Sequence, residues 1–427
     1  MKKLAFIPLF FLALYGLLLY KVCGLLGVHN NIFLVAYTVG TSVYLVSRFA
    51  ISAFYHDDHR EEPYYIVSSW PKKSRKEYPS VSFVIACKNE EDSIRKTIDA
   101  CLSADYPQKM DCVAVNDGST DNTLAEMMKA KVVWGDKLHV TSFPQNKGKR
   151  EAMAAGVLAS SGEIIVFVDS DSFVAKDSVR LIAGHFMSDE KVAAVSGNTL
   201  VENATQNTLT RMQAAKYGVA FEILKACESV FNVVTCCPGC FSAYRRDAVV
   251  EVLDEWRNQT LFGSRSTFGD DRGLTNYMLK NNHKVLYCRS AKATTIVPSK
   301  WRTFFKQQLR WKKSWLRETL VASKFMWKKH PIASISFYSA AALSVICPFI
   351  VARIFLLAAL SLSPWLPLIY VSGAALMGAT LGLFSSILHQ NEQWIYTAVF
   401  TPVYAFVLVW QMPYALLKIR DTQWGTR

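Results

Sequence analysis

Ile164-Ile165-Val166-Phe167-Val168 runs straight into Asp169-Ser170-Asp171. Five successive apolar residues describe a strand buried on both faces, as in sheets covered by helices. Two carboxylates follow at its exposed end, and a spacing of two sets both on one side of an extended chain. Hard oxygen ligands so placed suit Mg²⁺ or Mn²⁺ held against a diphosphate. Asp-Ser-Asp can also cap a following helix, but a cap employs one aspartate and leaves the other without a task.

The alternation continues outward from this stretch. Residues 81–86, 112–115, 139–142 and 192–196 read as further strands, with helices over 92–103, 124–131 and 150–159. Strands alternating with helices predict an α/β domain built on a parallel sheet with both faces covered. Ligands then sit at the carboxyl ends of the strands.

Further motifs fall at such ends. Asn116-Asp117-Gly118-Ser119 closes the strand at 112–115; the Asp117 carboxylate can accept the imide N–H of uracil, or simply close an Asp-Gly turn. Gly148-Lys149-Arg150 opens a helix and suits a phosphate-bearing ligand, or is a solvated basic turn. Gly269-Asp270-Asp271-Arg272 supplies a second acidic pair. Attack on a sugar anomeric carbon needs a carboxylate to take the acceptor proton, and a metal or cations to bear the charge on the departing group. Asp271 is the expected base. Gln307-Gln308-Leu309-Arg310-Trp311 lies among Trp301, Phe304, Phe305 and Trp315 and reads as an amphipathic interfacial helix. Arg310 can also contact pyrophosphate, and Trp311 can stack on a sugar.

Of 427 residues, 51% are hydrophobic and 19% charged, so bilayer segments must coexist with a sizeable soluble part. The net charge of +14 gathers beside apolar runs, at Lys2 and Lys3, Lys72 to Lys76, Lys312 and Lys313, and Lys324 to Lys329. That placement follows the positive-inside rule and argues against nucleic acid. Runs 4–22 and 31–54 are long enough to cross a bilayer, as are 333–360 and 365–387. The run 394–416 contains Pro402, Gln411 and Pro413 and is expected to enter the membrane without crossing it, giving four true spans. This threading puts residues 56–330 and the C-terminal tail on the cytoplasmic side. The ten cysteines show no disulfide spacing and fit reduced thiols; Cys236, Cys237 and Cys240 lack the second ligand pair of an ordinary zinc finger. Asn203 and Asn258 open Asn-x-Thr sequences, expected to carry no sugar on the cytoplasmic side.

Taken in order, Asp117, Asp169-Ser170-Asp171, Gly269-Asp270-Asp271-Arg272, Gln307-Gln308-Leu309-Arg310-Trp311 and Trp424-Gly425-Thr426-Arg427 resemble the processive family-2 glycosyltransferases, which include hyaluronan, chitin and cellulose synthases. The resemblance covers nearly the whole chain. It implies a GT-A-type, Rossmann-like domain that binds UDP through Asn89, Glu90, Asp117 and Lys149. Asp169 and Asp171 would bind the nucleotide-sugar and its Mg²⁺ or Mn²⁺. Asp271 would deprotonate the acceptor and Trp311 stack beneath it, with Asp270, Gln307 and Arg310 also on the substrate. Trp424 and Arg427 would close over the diphosphate.

The stretches around Asn258, Gly269 and Lys313, with the terminal Trp-Gly-Thr-Arg, look most like hyaluronan synthases, which use UDP-N-acetylglucosamine and UDP-glucuronate. Cys236-Cys237-Pro238-Gly239-Cys240-Phe241 departs from that pattern and looks like chitin synthases and the chitin-oligosaccharide synthases of nodulating bacteria, which need only the first donor. Two readings therefore stand: a hyaluronan-type synthase extruding its polymer through the plasma membrane, and a β-1,4 N-acetylglucosamine homopolymer synthase. A non-processive transferase onto a lipid carrier is a third possibility, and a transporter with a nucleotide-binding domain a fourth. The expected organisation is two N-terminal spans (1–55), a linker (56–78), the transferase domain (79–299), interfacial helices (300–330), a C-terminal membrane region (331–416) and a gating tail (417–427).

Overall fold

A computed structural model describes residues 14–21, 23, 32–57, 77–360, 364–389 and 392–421. Most of the first apolar run, most of the 56–78 linker, and the tail residues Trp424 and Arg427 lie outside the described residues.

Helix α1 (Ile32–Ser52) precedes the α/β domain. Strands β1 (Val81–Cys87), β2 (Met110–Asp117), β3 (Leu138–Phe143) and β4 (Ile164–Phe167) enclose helices α2 (Ile94–Leu102), α3 (Thr123–Trp134) and α4 (Lys149–Ala159). Then follow β5 (Ser172–Val174), α5 (Ser178–Ser188), β6 (Val192–Val201) and α6 (Thr208–Val219), which runs through a π-helical turn at Ala220–Lys225. Next come β7 (Ser242–Arg245), α7 (Arg246–Arg257), a hairpin of β8 (Thr260–Leu261) and β9 (Ser264–Arg265), α8 (Asp270–Lys280) and β10 (Lys284–Thr295).

Eight strands form one sheet in the order β3-β2-β1-β4-β7-β6-β10-β5. Its first half is parallel as expected, with Val81 opposite both Met110 and Ile164. The whole sheet is mixed, however, because β7 runs antiparallel to β4 and β6, and β5 antiparallel to β10. These strands are short or broken by polar residues, so periodicity did not reveal β5, β7 or β10. Successive residues alternate between two cores, one holding Phe83, Ile85 and Val166, the other Val84, Ile165 and Phe167. Helices α2, α3 and α5 cover the first face, and α4, α7 and α8 the second. Burying both faces is what made 164–168 read as an unbroken apolar run.

Helix α9 (Trp301–Ala322) leads from the sheet to α10 (Pro331–Ala359), α11 (Leu366–His389), α12 (Tyr396–Phe406) and α13 (Gln411–Leu417). Among the described residues, Ile32–Ser52, Pro331–Ala359 and Leu366–Ile387 are long and apolar enough to cross a membrane. The segment with the two prolines is instead a pair of short helices bent by 41°. Gln411 donates from Nε2 to the Phe305 carbonyl at 3.0 Å, which ties this bent pair to α9. Helix α9 is not a simple half-wetted interfacial helix: Lys312, Lys313, Arg317 and Glu318 are all buried. Arg317 is held by the carbonyls of Ile419 and Ser264 and by the Ser266 hydroxyl, while Gln259 and Asn276 donate to Glu318. Such partners are what permits charge inside.

At the start of α4, Arg150 bridges three elements. Its Nε bonds Asp270 at 2.9 Å, and Nη1 donates to the Trp256 carbonyl and to Gln259. Both charges are about 5% exposed. Removing one partner of such a pair strands the other charge, at a cost of about 3–5 kcal/mol. Arg150→Ala is therefore expected to lower the thermal midpoint of the detergent-solubilised chain sharply, whereas Arg257→Ala, at a part-exposed pair with Glu151, changes it little.

Candidate active site

Strands β1, β2 and β4 are parallel neighbours, so their carboxyl ends lie together at one edge of the sheet. After β1, Asn89 adopts φ 54° and its Oδ1 accepts the Thr120 N–H at 2.9 Å. Glu90 donates its N–H to Thr123 at 2.7 Å and accepts the Ser93 hydroxyl. After β2, Asp117 accepts the N–H groups of Lys147 and Gly148 at 2.7 and 3.0 Å. Gly118, at φ +62°, lies so close to the same loop that an added Cβ would come within 2.5 Å of the Asn146 nitrogen. Asp117 thus clamps the loop that leads to Lys149, a task the sequence reading did not give it.

Asp169 and Asp171 follow β4 in a turn rather than an extended chain, closed by the Ser172 N–H on the Asp169 carbonyl at 3.0 Å. The next element is strand β5, so the helix-cap reading falls. Lys149 forms an ion pair with Asp169. Burial alone would lower the Lys149 pKa, but Asp169, then Asp270 and Asp271, more than offset it and hold the ammonium charged. Burial likewise opposes ionisation of Asp169, yet Lys149, the Cys240 thiol and Arg310 bring its carboxyl below the usual range. Asp171 lies 3.4 Å from the hydroxyls of Ser172 and Thr295.

Asp271, in the first turn of α8, accepts the Cys236 thiol at 3.6 Å. Asp270 beside it turns inward to Arg150, and its 5% exposure leaves it little reach to a ligand. Gly239 lies against Asp169: a Cβ there would meet Oδ1 at 2.8 Å. Cysteines 236 and 240 therefore flank the two acidic motifs, whereas the sequence offered this run as a zinc candidate lacking a second ligand pair and as a departure from the hyaluronan pattern. Tyr217 of α6 completes the wall; burial, followed by Cys240, Asp171 and Asp169, pushes its phenol well up. Helix α9 brings Arg310 beside Asp169 and lays the Trp311 ring 4.8 Å from the Lys216 ammonium. Lys216 also bonds Gln308 at 2.8 Å, and Gln308 in turn reaches Gln307 at 3.4 Å. Burial and neighbouring Lys312 pull the Lys216 pKa down to about 7.

Asp169, Asp171, Asp271, Lys149 and Arg310 thus lie together, while Asn89 and Glu90 follow β1 and the buried Asp117 ends β2. The description glycosyl transferase family 2 matches residues 82–253. An N-acetylglucosaminyltransferase of Rhizobium leguminosarum bv. viciae is 30% identical over 351 residues, covering 82% of each chain. The chain belongs to glycosyl transferase family 2. An N-acetylglucosaminyltransferase of Mesorhizobium japonicum is 34% identical over 253 residues, which cover 58% of this chain and 59% of that protein. One from Azorhizobium caulinodans is 30% identical over 82% of this chain and 87% of its own length. A solved mannosyltransferase from Pyrobaculum calidifontis, in complex with GDP-Man and Mn²⁺, shares the GT-A fold of this family-2 chain; it has a TM-score of 0.56 and 16% identity, covering 90% of this chain and 99% of that one.

Burial, then the Asp271 carboxylate, pushes the Cys236 thiol up to about 12. Since the thiolate is the reactive form, maleimide labelling of Cys236 near pH 7 is expected to be slow. Asp271→Asn should speed it severalfold, as read by mass spectrometry of the Cys236 peptide.

Proposed function

We propose that this family-2 enzyme transfers N-acetylglucosamine from UDP-N-acetylglucosamine to the end of a β-1,4-linked N-acetylglucosamine chain at the cytoplasmic face of the plasma membrane. The observation that carries the reading is the convergence of Asp169 and Asp271 on Lys149 in a single cleft. The relatives named above are N-acetylglucosaminyltransferases, which supports the homopolymer reading over the hyaluronan type. The Pro238-Gly239-Cys240-Phe241 run beside Asp169 supports it too.

In this mechanism the acceptor hydroxyl loses its proton to the Asp271 carboxylate as its oxygen forms a bond to the anomeric carbon. The bond from that carbon to the β-phosphate oxygen breaks, and the electron pair leaves with UDP, inverting the centre. Lys149 and Arg310, the cations beside Asp169, would take up the charge that builds on the leaving diphosphate. The Asp169 and Asp171 oxygens form a hard donor set that fits Mg²⁺ or Mn²⁺, with Asp171 supported by the Ser172 and Thr295 hydroxyls. Bound there, the ion would neutralise part of the diphosphate charge. Asn89 and Glu90 would hold the uridine beside the loop that Asp117 clamps, Gln307 and Trp311 the acceptor, and Trp424 and Arg427 the closed site.

A cavity of about 410 Å³ beyond Lys216, lined by Tyr37, Tyr370, Phe400 and Tyr404, supports passage of the product between the apolar helices. The bent pair Tyr396–Phe406 and Leu408–Leu417 would then dip into the bilayer and return, shielding that passage.

Purified protein given UDP-N-acetylglucosamine alone should make chitin-type oligomers. Product that forms only when UDP-glucuronate is also present would restore the hyaluronan reading, and sugar found mainly on a polyprenyl lipid would overturn both. Asp271→Asn should cut turnover by about 10²–10⁴-fold with donor binding retained. Gly239→Ala, which presses on Asp169, should raise the donor KM about tenfold or more without lowering the melting temperature, about 1.4 kcal/mol of lost binding.

A further inference from the structure

Away from the cleft, three side chains from distant parts of the chain meet in the interior. Asp57 follows α1, His185 lies near the end of α5, and Cys288 sits in β10. All three are buried, and the Asp57 side chain is fully enclosed. Asp57 Oδ1 stands 4.0 Å from His185 Nε2 and 3.8 Å from Cys288 Sγ, and the three ligand atoms all lie within 4.8 Å of one another. A separation of 4.0 Å is too long for a hydrogen bond between Asp57 and His185. Neighbouring ligands in a tetrahedral zinc site stand about 3.3 Å apart for a Zn–O and a Zn–N bond, and about 3.5 Å apart where one bond is Zn–S. On binding, the Asp57–His185 pair would close by about 0.7 Å and the His185–Cys288 pair by at most about 1.3 Å.

The carboxylate is already aimed. Ser290 donates its N–H to Asp57 Oδ2 at 2.6 Å, which turns Oδ1 toward the histidine and the thiol. An outer-shell bond that orients a ligand is a regular part of metal sites. Nitrogen, sulfur and carboxylate oxygen together match a borderline-soft ion rather than Mg²⁺.

We propose that Asp57, His185 and Cys288 bind Zn²⁺, with water as fourth ligand, and so clip the exit of helix α1 to the sheet. On binding, the Cys288 thiol gives up its proton to solvent and its sulfur bonds the metal as thiolate. The site is separate from the catalytic cleft. Thr295, which touches Asp171, lies at the far end of β10 from Cys288, about 20 Å along the strand. Neighbouring contacts fit a clip, since the Tyr55 hydroxyl donates to the Tyr287 carbonyl at 2.7 Å and accepts the Arg289 N–H.

The test is the metal content of the full chain, purified in detergent and dialysed against a weak chelator, by inductively coupled plasma mass spectrometry. About one zinc per chain is expected, with the metal lost in Cys288→Ser and His185→Gln and kept in Asp171→Asn. As those variants can fail to fold, wild-type protein is also stripped and titrated with Co²⁺, which should develop a thiolate-to-cobalt charge-transfer band. Wild-type chain that carries no zinc and develops no such band overturns the proposal, as does a Cys288→Ser chain that keeps its zinc. Transferase activity enters neither readout, so failure here leaves the proposed reaction untouched.

Discussion

Two neighbouring cations at the first turn of one helix hold the site together. Lys149 pairs with Asp169 after β4, and Arg150 pairs with Asp270 at the start of α8. The two acidic motifs are far apart in sequence, and α4 fixes both from a single turn. Because Arg150 is buried, its pairing is sensitive to geometry, and it also pins Trp256 and Gln259. Asp271, one residue on from a locked Asp270, is thereby left at the edge of the cleft. A loop held by Asp117 sets the start of α4 itself. The chain of constraint runs from the β2 end, through the 145–148 loop, to both carboxylate pairs.

The same economy joins the sheet to the apolar helices. Helix α9 carries Arg310 and Trp311 toward the cleft while its buried charges bond the 257–266 region and the stretch after α13. Lys313 meets Asp421, and Arg317 meets the Ile419 carbonyl, so the C-terminal stretch is anchored to the helix that lines the site. Charges that a helical wheel would assign to water are spent on this docking. Lys216, pressed against Trp311 and Gln308, also lines the apolar cavity among the helices. A lysine brought near neutrality by burial suits that place better than a fixed cation, because a permanent charge there would be costly to keep dry.

Membership of family 2 is a statement about fold and chemistry; the polymer is a question about the acceptor side. The loop Cys236–Cys240 packs against both acidic motifs, with Gly239 under Asp169 and Cys236 against Asp271. Its small residues and neutral thiols add no further cation to the Lys149 and Arg310 that already stand beside Asp169. This loop is where the sequence diverged from the hyaluronan pattern, and the relatives compared above are named N-acetylglucosaminyltransferases.

The sequence by itself determined the transferase class, the helix-covered α/β core and the apolar segments. Those features rest on local pattern: an unbroken apolar strand, carboxylates at strand ends and runs of bilayer length. It also placed Asp169, Asp171, Asp271, Lys149 and Arg310 in one site. Only the tertiary structure decided that Asp169-Ser170-Asp171 is a turn, that Asp270 faces Arg150, that β7 reverses the sheet, and that two cysteines flank the acids. Each of these depends on contacts between residues distant in the chain, and a one-dimensional pattern carries the period of an element but not the identity of what packs against it.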